Sequence, residues 1–319
     1  MAERLKMERK KIFYSFLSFF FFFSSFVFAL EIENTDQPTR NDFVVSPGKI
    51  EVWLEPGSST VHEFTITNRT GKRASFKIEI EDMKGSRDVE KPVVLLGGEK
   101  GPYSLKDYLE PEVSEFSLDH GQRARFFFKI SIPKDAEPGG KYGAVIVSKV
   151  PPPTETSNGL EVSVAERIAV LIFVRVKGPV KEYGILKDFL TPKKIYTKPF
   201  VPLKIYFENN GNVHLNPYGI IKIKNLLGQT ITEIEVPPFF SLPDSLKLKE
   251  ISWKKNFLFG CYTAELFLNR GYQNIIDYKT VSFWVLPVLP LLLLFVIFFG
   301  FVFIFYWIMN NFEIRKKQK

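Results

Sequence analysis

The sequence predicts a mainly β protein, built as two tandem β-sandwiches between an N-terminal signal peptide and one C-terminal transmembrane helix. Three observations predict it. Apolar and polar residues alternate with period two over many short segments, Pro and Gly turns fall between those segments at intervals near ten residues, and an uncharged apolar run lies near each end of the chain, Ile12 to Ala29 and Leu286 to Met309. Seven or so short strands per half, separated by such turns, describe sandwiches of immunoglobulin type.

Residues 1–29 open with Arg4, Lys6, Arg9, Lys10 and Lys11, continue as an apolar run from Ile12, and close on Val27-Phe28-Ala29. This is the pattern of a secretory signal peptide with cleavage after Ala29. An uncleaved anchor is the alternative, and it leaves the following residues on the same side of the membrane. Residues 30–42 are polar, without hydrophobic period, and read as a flexible leader.

The first sandwich is expected over 43–178. Ile50-Glu51-Val52, Phe64 to Thr67, Phe76 to Glu81, Phe116 to Leu118, Phe126 to Ile132, Tyr142 to Val150 and Ile168 to Val176 supply its strands. Pro56-Gly57 and Asn68 to Gly71 supply turns, and Tyr103 to Leu109 reads as a short helical turn. Gly178-Pro179 marks the boundary. The second sandwich, 179–283, takes its strands from Tyr183 to Leu190, Leu203 to Phe207, Ile220 to Ile223, Ile231 to Val236, Ile251 to Trp253, Tyr262 to Leu268 and Thr280 to Phe283. The halves echo each other. Phe64-Thr65-Ile66-Thr67-Asn68 parallels Ile205-Tyr206-Phe207-Glu208-Asn209, and Gly140-Lys141-Tyr142 parallels Gly260-Cys261-Tyr262. The second pair suggests a corner in which glycine bends the chain and a tyrosine hydroxyl bonds back to it.

Leu286 to Met309 carries no charge, and Arg315, Lys316, Lys317 and Lys319 follow it. Residues 284–309 are thus expected to span a bilayer once, with 310–319 as a basic cytoplasmic tail and the bulk of the chain outside the cell membrane. The formal charge of +8 resides mostly in these ends: between Leu30 and Phe283 the net charge is only +2. That removes the main support for a nucleic-acid partner.

No catalytic, metal or cofactor constellation is legible. His62, His120 and His214 are far apart and read as isolated polar surface residues. Cys261, the lone cysteine, reads as a packed small hydrophobe, and its being single implies domains without internal disulfides. Glu79 and Glu81 are expected on the solvent face of a strand, with Asp82 continuing into a loop. Asn68-Arg69-Thr70 reads as a turn. The expected contact surfaces are the excursion Met83 to Val113 and the loop Pro151 to Gly159.

Phe43 to Pro47, Leu54 to Ser58, Phe64 to Asn68, Leu118 to Gln122, Ile132 to Gly143 and Glu166 to Val170 together resemble the WxL-interacting cell-surface proteins of bacteria. The order of signal peptide, two sandwiches, membrane helix and basic tail is similar to theirs as well. The resemblance implies peptidoglycan binding by the first domain and attachment to host or other surface proteins by the second. The sequence therefore points to a non-enzymatic, membrane-anchored binding or scaffolding protein of a bacterial envelope, contacting cell-wall glycan or another surface protein. The alternative is a membrane-held assembly chaperone that binds a secreted partner by β-strand addition.

Overall fold

The computed structural model describes residues 31–151 and 166–311. The expected signal peptide, most of the Pro151 to Gly159 loop and the residues from 312 onward, expected as a basic tail, lie outside the described residues.

The N-terminal half contains β1 (Glu31–Asn34), β2 (Asp42–Ser46), β3 (Lys49–Leu54), β4 (Ser59–Arg69), β5 (Ala74–Gly85), β6 (Val93–Leu95), β7 (Leu109–Pro111), β8 (Glu115–Leu118), β9 (Gln122–Ser131), β10 (Gly139–Val150) and β11 (Arg167–Val176). One sheet runs β1-β9-β4-β2, with β7 also on β9. The other runs β3-β11-β10-β5-β6, with β8 also on β5. The chain changes sheet between β2 and β3, at the cis Ser46-Pro47 bond. Period-two alternation makes the core: Phe64, Phe76, Phe126 and Phe128 come from facing sheets and are at most 1% exposed. Burying each such ring stabilises the sandwich by about 1.5–3 kcal/mol.

The leader is not wholly unstructured. Glu31–Asn34 pairs antiparallel with β9, and Glu33 meets Arg123 at 3.1 Å while Glu31 lies 3.9 Å from Arg125. Cross-strand charge pairing does here what an apolar period does elsewhere.

The C-terminal half contains β12 (Gly184–Leu190), β13 (Ile195–Tyr196), β14 (Phe200–Asn209), β15 (Tyr218–Asn225), β16 (Thr230–Val236), β17 (Ser245–Lys254), β18 (Gly260–Asn269) and β19 (Ile276–Val285). The sheet β12-β14-β17 packs on β13-β19-β18-β15-β16. Trp253, Tyr262 and Phe283 cluster near one end, with Trp253 and Tyr262 centroids 5.0 Å apart in an edge-on arrangement. Helix α1 (Val288–Asn311) follows after Leu286 and Pro287. Its 24 residues are long and apolar enough to cross a membrane.

The asparagine echo is structural. Asn68 is fully buried; its Nδ2 donates to Lys72 O and Leu118 O, both at 2.8 Å, and its Oδ1 accepts from Thr70 N at 2.9 Å. Asn209 repeats the set with Val213 O, Ser241 O and Gly211 N. Each side chain closes its own turn and ties it to another segment. In the described residues Asn68 is therefore a buried turn-former.

Candidate functional site: an open sheet edge and a locked junction

β3 covers β11 only from Leu171 to Val176. Arg167–Val170 has β10 on one side and, among the described residues, no strand on the other. The direction of its free groups follows from its neighbours: Leu171 N donates to Gly48 O, away from β10, whereas Glu166 O accepts from Lys149 N, towards it. Alternation then turns the N–H and C=O of Ala169 and Arg167 outward. Across the gap lies β2, which pairs with β4 and has a bare outer side among the described residues. Val45 on β2 and Ile168 on β11 are partly exposed, and both pack on the first core. The sequence builds this opening locally, because Pro47 cannot donate to a ladder and β2 and β3 part there into different sheets.

The flank of this edge is charged and self-paired. A groove of about 670 Å³ is lined by Lys77, Glu79, Glu81, Lys106, Lys149 and Arg167, among others. Arg167 meets Glu81 at 2.5 Å and Glu79 at 4.0 Å, and Lys77 meets Glu79 at 2.9 Å. Both glutamates thus face outward and are compensated by basic neighbours. Asp82 is buried, and its oxygens accept from Leu105 N and Lys106 N at 2.9 Å and from Gly101 N at 3.2 Å. Backbone amides hold this carboxylate and leave it as a loop anchor. Among the described residues no group of three His, Cys, Asp or Glu is placed to hold a metal.

The excursion expected as a free contact surface largely buttresses the second sandwich. Met83 joins Tyr142, Phe173 and Leu242 in a small apolar cluster between the two halves. Arg87 pairs with Glu208 at 3.2 Å, Leu246 N donates to Ser86 O at 3.0 Å, and Tyr103 Oη donates to Asp244 at 3.1 Å. Burial, reinforced by Asp244, pushes the Tyr103 hydroxyl up to about 12. On the other side Gly140 N donates to Asn212 O at 2.9 Å, and Arg175 meets Glu182 at 2.7 Å.

At the centre sits His214, only 4% exposed, which corrects its reading as a surface histidine. Its Nε2 lies 2.7 Å from Glu51 Oε1. A carboxylate only accepts, so Nε2 carries the proton. Burial lowers the His214 imidazole below its ordinary range despite Glu51, leaving Nδ1 to accept from Tyr142 Oη at 3.3 Å. The same hydroxyl accepts from His214 N at 2.5 Å, and burial pushes its pKa well above the ordinary tyrosine value, so it stays protonated. Burial would raise the Glu51 carboxyl, but hydrogen bonds from His214 and Lys49 outweigh it and hold it lower.

The two Gly-x-Tyr corners consequently differ. Tyr262 bonds back locally, donating to Phe259 O at 3.0 Å, and Gly260 adopts φ +114°. Tyr142 instead reaches 72 residues along the chain, and Gly140 leaves the space its ring occupies. Cys261 alternates with buried Tyr262, so it lies partly exposed opposite Trp284 and not in the core. The half-buried His62 ring lies tilted against Phe128, with centroids 6.1 Å apart, and His120 Nδ1 accepts from Gly71 N at 3.2 Å.

No family model matches the chain, and no curated protein matches it. Among solved structures it is similar to a chaperone–tip adhesin complex of CFA/I fimbriae at 13% identity, covering 77% of this chain and 99% of that one with a TM-score of 0.36. It is similar to the class 5 fimbriae chaperone CfaA at 16% identity, covering 77% and 100% with a TM-score of 0.34. It is also similar to a Salmonella enterica complex of SafA pilin with the SafB chaperone, at 13% identity, 78% and 100% coverage and a TM-score of 0.33.

Proposed function

We propose that the protein is a non-enzymatic, single-pass envelope protein whose outer sandwich binds an extended segment of a secreted or surface protein by β-strand addition at β11. The observation that carries this reading is the open edge Arg167–Val170, with outward backbone groups at Ala169 and Arg167 and apolar Val45 and Ile168 beside them. An added strand would satisfy those groups and cover the two side chains, so affinity comes from main-chain bonds and selectivity from side-chain fit. The topology that serves this role places Leu30 to Phe283 outside the membrane, as the basic flanks of both apolar runs imply.

Photo-crosslinkers at exposed Ser46 and Arg167 in the native envelope test it. The expected product is an adduct with an exported protein, and hydrogen exchange of the purified complex should show the Ala169 amide newly protected. An Ala169 amide that exchanges equally fast in the complex refutes strand addition. Retention of the protein on insoluble peptidoglycan, with crosslinks to glycan alone, would favour the wall-binding role that the WxL-type resemblance implies.

A further inference from the structure

We infer that the end of the second sandwich from which α1 emerges is itself a lipid-contact surface, seated in the headgroup layer of an anionic leaflet. The inference rests on α1 spanning the membrane. Strand register gathers four segments at that end. β15 leaves there at Asn225, β14 enters at Phe200 opposite Lys254 of β17, β18 enters at Gly260 opposite Val285 of β19, and β13 lies beside Trp284. The opposite end, where β14 finishes at Asn209 and β17 starts at Ser245, is occupied by the first sandwich.

The loops at the α1 end carry large apolar side chains in solvent: Leu226 is 77% exposed, Leu227 79%, Phe257 60%, Phe259 53%, Ile195 55% and Trp284 47%. The β15–β16 turn makes the choice conspicuous. Asn225 Oδ1 accepts from Leu227 N and Gln229 N, both at 3.0 Å, and Gly228 follows with φ +77°, so the turn closes without using either leucine. Two leucines at the tip of a polar turn bury nothing within the chain. A cluster of this kind rimmed by polar residues marks an interaction surface.

Its charge selects the partner. Residues 191–200, 225–229, 254–260 and 284–287 contain five lysines, Lys193, Lys194, Lys198, Lys254 and Lys255, and no carboxylate. Among the described residues none of the five has an acidic partner. Leucine, phenylalanine and tryptophan within a ring of lysines suit the boundary between acyl chains and anionic headgroups.

The tether sets the distance. Trp284 N donates to Lys194 O at 2.7 Å and Leu286 N to Tyr196 O at 2.8 Å, so the chain remains fastened to the sandwich up to the residue before Pro287. α1 starts at Val288. Two residues span at most about 7 Å, and the polar layer on each face of a bilayer is roughly 5–8 Å deep. The tip therefore cannot clear the headgroups once α1 is inserted.

Spin labels decide the matter in the full chain, with Cys261→Ser as background and one cysteine each at Leu227, Phe257, Glu90 and Phe299, reconstituted into phosphatidylcholine vesicles with and without phosphatidylglycerol. The ratio of oxygen to water-soluble nickel accessibility should be high at position 299, low at 90, and intermediate at 227 and 257, with these two values rising when phosphatidylglycerol is present. Values at 227 and 257 equal to that at 90, with 299 still in hydrocarbon, overturn the inference and leave the membrane span intact. A low ratio at 299 overturns the span itself. Dipolar broadening between labels at 227, with both reagents excluded, assigns the surface to a second copy of the chain and overturns the lipid contact.

Discussion

Tyr142→Phe removes a single oxygen from the junction between the sandwiches, and its cost follows from the geometry. The hydroxyl is fully buried, accepts from His214 N at 2.5 Å and donates to His214 Nδ1 at 3.3 Å. Phenylalanine keeps the ring and its edge-on contact with Phe173, centroids 5.5 Å apart, so packing is preserved. What is lost is the partner of a buried backbone donor and of a ring nitrogen. A stranded buried group costs about 1–3 kcal/mol, and the 3.3 Å contact is the weaker of the two, so the sum is about 3 kcal/mol. Urea unfolding of the full chain in detergent, followed by far-ultraviolet circular dichroism, reads this as a lower midpoint at unchanged slope. With a slope of about 3 kcal/mol/M the midpoint falls by about 1 M. The amide of His214 should also exchange faster, since its acceptor has gone. A midpoint shift below about 0.2 M, with His214 exchange unaltered, would refute the assignment of Tyr142 as the pin between domains.

Acid should loosen the same junction. The buried His214 imidazole, lowered from its ordinary 6.5, binds a proton less readily than in the unfolded chain, so its stabilising effect is complete above about 6.5 and is lost as pH falls below it. Glu51, lowered from 4.5, adds loss of the same sign below that value, and half-buried His62 on β4, away from the junction and also lowered by burial, adds to the loss of overall stability in the upper window. Melting temperature measured from about pH 8 to about pH 5 should drop, and less steeply in His214→Gln. Asn68→Ala and Asn209→Ala should each lower stability by about 2–4 kcal/mol, because each strands two carbonyls and one amide. The equilibrium unfolding of the double variant should show additive losses, the sites having no shared partner. Gly140→Ala places a methyl group in the space of the Tyr142 ring and should lower the melting midpoint by the equivalent of about 1–3 kcal/mol, with His214 exchange accelerated as in Tyr142→Phe.

What the sequence made legible were features with local causes. Phe64 to Thr67 and Tyr262 to Leu268 lie in strands with the expected face inward, Phe64 and Ile66 in one and Tyr262, Ala264, Leu266 and Leu268 in the other being buried. The Asn68 and Asn209 echo announced a shared turn because an asparagine side chain bonds within four residues of itself. β1 was missed because Glu31-Ile32-Glu33-Asn34 holds one apolar residue, and its pairing depends on Arg123 and Arg125 about 90 residues away. His214 looked solitary for a similar reason. Its partners Tyr142 and Glu51 are 72 and 163 residues distant, a separation no spacing rule spans. The open edge at Ala169 was equally hidden, since it depends on where the parallel pairing of β3 begins.

The short connection between β19 and α1 and the pinned junction at Tyr142 act in series. Neither leaves slack, so, with α1 across a bilayer and a strand on β11 as proposed, the molecule would work as a spacer of set height. That partner strand would be carried beyond the whole second sandwich, whose ten-residue strands such as β14 measure about 33 Å. Reach would then become a selection rule: a segment emerging from the bilayer would have to cross that stand-off before docking, whereas one arriving from further out would meet the edge directly.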